Sequence, residues 1–112
     1  MIASAQLSVR ELRRAARHPT DYIVTAEHRK IGEVQLHIIN VSAQGFMVRG
    51  LPEMGRGERF VMTLPVIGRI EAHLVWVHDD RAGFQFERII RNDEFMKLID
   101  ALQKNIRLRR SQ

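Results

Sequence analysis

The sequence predicts a mainly β fold, six antiparallel strands in a barrel or sandwich, followed by a C-terminal α-helix and preceded by a short arginine-bearing segment. Three observations carry that prediction. From Thr20 to Arg88 apolar and polar residues alternate at a period of two, the signature of half-buried strands. Clusters of Gly, Pro, Asn and Asp cut this run into short pieces with no helical stretch between them. After Asn92 the apolar spacing changes to that of a helix.

Taken in order, Ser8-Val9-Arg10-Glu11 has the form of a capping box, and Val9, Leu12 and Ala16 recur at near-helical spacing. A short helix from Val9 to Ala16 is expected, with Arg10, Arg13, Arg14 and Arg17 on one face at steps of three and four. His18-Pro19 ends it, because the residue before proline is pushed out of the α region. From Thr20 the first strand alternates Tyr22, Val24 and Ala26 with Ile23 and Thr25, and a polar turn is expected from His28 to Gly32. Val34, Leu36 and Ile38 form the inner face of the second strand, with Gln35 and His37 facing out. Phe46 and Val48 share a face of the third strand, and Leu51 to Gly57, with Pro52, Gly55 and Gly57, reads as a loop.

Phe60, Met62 and Leu64 mark the fourth strand. Pro65 to Gly68 turns the chain into a long fifth strand, in which Ile70, Ala72, Leu74 and Trp76 share the inner face. Asp79 to Ala82 turns again into a strand from Gly83 to Arg88. Asn92 is placed to cap the final helix, whose first turn carries Asp93 and Glu94 at the positive end of its dipole. Phe95, Leu98, Ile99, Leu102 and Ile106 form its apolar stripe, which needs an open mouth or side of the barrel to cover it.

A length of 112 residues suits one domain, divided as an N-terminal segment 1–19, a β region 20–91 and a helix with a basic tail 92–112. The absence of cysteine excludes disulfides, thiolate catalysis and zinc–thiolate sites. No apolar run is long enough for a signal peptide or a bilayer-spanning helix, so a cytoplasmic location without membrane insertion is expected. The net charge of +5 is concentrated in two groups, Arg10 to Arg17 and Lys104 to Arg110. Such clusters favour an anionic partner. The C-terminal group reads as a solvated tail; the N-terminal one gains weight from a motif downstream.

That motif is Asn40-Val41-Ser42-Ala43-Gln44-Gly45, between strand-like runs Glu33 to Ile39 and Phe46 to Arg49. Short Asn and Ser side chains can bond to nearby backbone or to a ligand, and Gly45 allows a conformation or a close approach that a Cβ would obstruct. Arg13-x-x-x-Arg17 followed by Asn40-x-Ser42-x-x-Gly45 resembles the PilZ domain, whose signatures are RxxxR and (D/N)xSxxG. Gly83-Phe84-Gln85-Phe86 is similar to the Gly-x-x-Phe last strand of such barrels, and the likeness runs from about Arg13 to the chain's end.

The resemblance implies a six-stranded PilZ-type β-barrel that acts as a stand-alone receptor for the bacterial second messenger cyclic di-GMP. It implies that Arg13 and Arg17 bind guanine edges and phosphate with Arg14 assisting, that Asn40 and Ser42 hydrogen-bond the ligand, and that Gly45 shapes the turn. Arginine suits such a ligand, because its guanidinium forks onto phosphate, stacks on bases and donates to guanine O6 and N7. Arg10, in the alternative phasing Arg10-x-x-x-Arg14, is a secondary candidate. Trp76 reads first as a core residue, with contact to a guanine as the alternative that some relatives suggest.

The expected partners are cyclic di-GMP, bound as a monomer or an intercalated dimer, and an effector protein in a process such as motility or biofilm formation. Ligand binding is expected to draw the arginine segment onto the barrel face. The chain itself is expected to be a monomer or weak dimer. The alternative reading is a PilZ-type interaction module of pilus or motility assemblies that does not bind nucleotide. A nucleic-acid polymer is disfavoured, because the aromatics follow the inward alternation instead of interleaving with basic residues.

His73 and His78 lie five apart on one strand, and His18, His28 and His37 fall in other elements without a near acidic partner in sequence, so no metal site is expected. No phosphate-binding Gly-rich loop or nucleophile motif is present. Neither an enzyme nor a cofactor is expected.

Overall fold

The computed structural model describes residues 17–50 and 57–110, except the side chains of 105–110. The expected helix Val9 to Ala16, with Arg10, Arg13 and Arg14, lies outside the described residues, as do most of the loop after Gly50 and the side chain of Ile106. The alternating run folds into β1 (His18–His28), β2 (Gly32–Val41), β3 (Gly45–Arg49), β4 (Arg59–Leu64), β5 (Gly68–His78) and β6 (Arg81–Phe86), followed by α1 (Asn92–Arg110). All pairings are antiparallel, and the sheet closes as a barrel in the order β1-β2-β3-β6-β5-β4. The closing seam sets Ala26 against Met62 and His28 against Phe60. The seam covers Ala26, Glu27 and His28 of β1, and there it removes the open sheet edge.

The inward positions are those the alternation marks. Val24, Ala26, Leu36, Ile38, Phe60, Met62, Leu64, Ile70, Ala72 and Leu74 are buried in one core. Phe46 stacks on Phe84 at 4.8 Å, and Phe84 meets Phe60 edge-on at 5.3 Å. Phe95, Leu98, Ile99 and Leu102 of α1 join the same core, so the amphipathic stripe finds its cover on the barrel beside β1. His18 meets Phe95 edge-on at 5.3 Å and ties the start of β1 to the first turn of α1.

Several boundaries differ from expectation. β1 starts at His18 and continues through His28, which the sequence reading placed in a turn. The cause is a local network: His28 pairs with Gly32 across the ladder, its Nδ1 accepts the Lys30 N–H at 3.1 Å, and its Nε2 lies 2.5 Å from Glu58 Oε1. With Nδ1 accepting, Nε2 carries the proton donated to Glu58. The ring is buried, so this histidine does have an acidic partner, from a different element. β6 begins at Arg81 instead of Gly83, because Asp79, at φ +55°, completes a tight turn with Asp80 and lets His78 pair with Arg81. In α1 the Phe95 N–H bonds the Arg91 carbonyl at 2.8 Å, which puts the cap one residue before the expected Asn92.

Removing the Glu58 carboxylate leaves the buried His28 N–H without that acceptor. Glu58→Ala is expected to cost about 1–2 kcal/mol, read as a lower urea midpoint at unchanged m-value. A midpoint equal to the parent's would show that the pair contributes nothing. Among the described residues, no helix is long and apolar enough to cross a membrane.

Candidate ligand-binding site

The site starts with one extra residue in each of three strands. β1 and β2 slip register between Pro19 and Tyr22, β2 and β3 between Ile38 and Asn40, and β5 and β6 between Leu74 and Trp76. A one-residue bulge exchanges the two faces of everything beyond it. Asn40, which shares its parity with inward-facing Leu36 and Ile38, therefore turns outward, and so does Trp76 beyond Ala72 and Leu74. The bulges align with one another. Pro19 pairs with Asn40, Asn40 with Met47, Met47 with Gly83 and Gly83 with Trp76, one continuous row across five strands on the outer face.

Asn40, Met47, Gly83 and Trp76 of this row are the floor of a shallow surface depression, lined also by Arg17, Ser42, Gly45, Phe46 and Phe84. Trp76 is thus a half-buried part of that floor and not the core residue that the alternation predicts. The extra residue in β5 is the physical reason. Its indole lies over Gly83: a Cβ there would sit 2.1 Å from Nε1 and 2.4 Å from Cε2 of Trp76. Asn40 belongs to β2, not to the turn, and its Nδ2 makes a weak contact of 3.7 Å with Met47 Sδ. Its Oδ1 accepts no hydrogen bond from the described residues, so a donor–acceptor amide edge faces the depression.

Ser42 is 5% exposed, and its hydroxyl is fully engaged. Oγ accepts the N–H groups of Gln44 and Gly45, both at 3.3 Å, and donates to the Gly45 carbonyl at 3.4 Å. One donor and two lone pairs leave no spare capacity. Ser42 builds the turn in this state, and the Ser42 N–H closes it onto the Gly45 carbonyl at 2.8 Å. Gly45 is required by close approach and not by a positive φ: a Cβ would stand 1.9 Å from the Phe84 carbonyl oxygen. The turn is further held by the Ile90 N–H on the Ala43 carbonyl at 2.9 Å and the Phe86 N–H on the Gln44 carbonyl at 2.8 Å. These bonds anchor it to the segment that leads into α1.

Of the candidates read from sequence, Arg17, Asn40, Ser42, Gly45 and Trp76 line one depression, while Arg10, Arg13 and Arg14 lie outside the described residues. Met47 and Gly83 were missed as site residues. Their signal was present: Met47 sits at the outward position between Phe46 and Val48, and a glycine inside a strand marks close approach of another group. His37 lies 2.6 Å from Asp21 and His78 lies 3.4 Å from Asp79, acidic partners that the sequence reading did not supply. Among the described residues, no group of three or more His, Asp or Glu side chains is placed to hold a metal ion.

The family model described as PilZ domain matches residues 11–104 of the chain. That span holds both arginine–turn signatures except Arg10, and every residue of the outer row. No curated protein matches the chain.

Proposed function

The chain belongs to the PilZ domain family, and on that premise we propose that it is a receptor for cyclic di-GMP which passes the signal to a partner protein. PilZ domains are generally cyclic di-GMP-binding modules. The observation that supports this reading best is the outer row: aligned bulges bring an amide, a thioether and an indole face onto one floor, with Arg17 beside them. Each group suits part of a guanine nucleotide. The Asn40 amide offers donor and acceptor to a base edge, and Trp76 offers a flat face for stacking. Arg17 supplies the fork for phosphate or guanine, with Arg13 and Arg14 as further donors. Ser42 and Gly45 act by holding the turn that fixes this end of the floor.

Isothermal titration calorimetry of the purified protein with cyclic di-GMP tests the reading, with GTP as the control ligand. Saturable binding at micromolar concentrations or below is expected, weakened about tenfold in Arg17→Ala through loss of a charged hydrogen bond. The stoichiometry then separates one bound ligand from an intercalated pair. No heat from a protein shown to be folded would overturn the receptor reading in favour of a protein-interaction module.

A further inference from the structure

One row away from Asn40, Met47, Gly83 and Trp76, on the same outer face, the register sets His37 opposite Arg49, Arg49 opposite Arg81 and Arg81 opposite His78. This places two arginines directly across from each other on adjacent strands. Like charges in that relation oppose strand pairing, so the fold gains nothing from them. Counter-charges are sparse and lie to the sides. Asp21 lies 2.6 Å from His37 and Asp79 lies 3.4 Å from His78, while Arg49 has no ion-pair partner among the described residues. Asp80 stands 3.9 Å from Arg81, too far for a hydrogen bond. The nitrogen Arg81 Nη1 is itself buried and makes no hydrogen bond. The Arg81 side chain as a whole is 36% exposed, so the rest of its guanidinium can meet an anion from outside.

We infer that Arg49 and Arg81 form an anion subsite that takes a phosphodiester group of a cyclic dinucleotide lying on the Trp76 floor, at the side remote from Arg17. The inference rests on the receptor reading above and adds a contact outside both sequence signatures. The two rows are separated by two residues along β3, about 7 Å. A ligand seated on the floor between Arg17 and this row would meet positive charge at both ends. The two phosphodiester groups, one on each side of the ligand's macrocycle, can then each meet a guanidinium fork.

The test is titration of the parent protein, the Arg49→Gln/Arg81→Gln double variant and Arg69→Gln with cyclic di-GMP. Arg69 is an exposed arginine at the far end of β5, paired with Thr63, and reports the effect of losing charge elsewhere on the barrel. The double variant should bind at least tenfold more weakly while Arg69→Gln matches the parent. Its thermal midpoint should equal or exceed the parent's, since a like-charge pair has been removed, so weaker binding is not a folding defect. Parent-like affinity in the double variant overturns this inference and leaves the receptor reading standing. An equal loss in Arg69→Gln also overturns it, because a general field would then explain the effect. Absence of binding by the parent protein overturns both readings together.

Discussion

Gly45→Ala is expected to lower stability by about 3 kcal/mol, the upper end of the usual cost of overpacking. For a domain of this size that is a fall of roughly 10–20 °C in thermal midpoint. The added Cβ would stand 1.9 Å from the Phe84 carbonyl oxygen and 3.0 Å from its carbon. Both obstacles are backbone, and Phe84 is pinned: it stacks on Phe46 at 4.8 Å and sits opposite Leu74 in the ladder. Relief therefore requires β3 and β6 to separate where Gly45 pairs with Gln85. Separation would also strain the turn, whose Ser42 N–H closes onto the Gly45 carbonyl. Ligand affinity should fall as well, but as a consequence of the lost turn. Thermal unfolding followed by circular dichroism checks this, and a midpoint within 2–3 °C of the parent's, a shift worth well under about 1 kcal/mol, would mean that the seam can open at little cost.

The strands were legible because burial on one face writes itself into alternation, and the core residues followed from the same parity. Val24, Leu36, Phe60, Ile70 and Leu74 all point where the period of two puts them. What alternation cannot reveal is a single inserted residue. Ile39 and Val75 are apolar and leave composition and turn signals unchanged, yet each reverses the face of the residue that follows. Alternation therefore places Trp76 inward. It gives no sign of the outward position, which the resemblance alone offers as the alternative; the pairing with Gly83 is a relation that register supplies.

His28 failed differently. A histidine beside Arg29 and Lys30 looks like turn, and its burial depends on Glu58, 30 positions away. Asn40 and Ser42 line one depression, but their chemistry divides in a way their spacing does not show. The amide faces the depression, whereas the hydroxyl is consumed by the turn.

Gly83→Ala separates the floor from the fold. Here too a Cβ would collide, but with the indole of Trp76, whose atoms lie 2.1–2.9 Å away, and a side chain can swing aside where a backbone carbonyl cannot. The strand glycine is covered by an aromatic across the ladder, an arrangement that protects a weak point in a sheet. Stability should therefore change by less than about 1 kcal/mol, and tryptophan emission should shift to the red as the only indole leaves its half-buried seat. On the receptor reading, Trp76→Ala should weaken cyclic di-GMP binding between about tenfold and a hundredfold, since base–aromatic stacking contributes about 1–3 kcal/mol per base. Gly83→Ala should lose a comparable amount by displacing the same ring. The two effects then cannot add, because an indole already removed cannot be displaced again. A Gly83→Ala/Trp76→Ala double variant that binds as well as Trp76→Ala alone identifies Gly83 as the residue that positions the stacking platform. Losses that multiply would assign Gly83 a contact of its own with the ligand and separate the glycine from the ring above it.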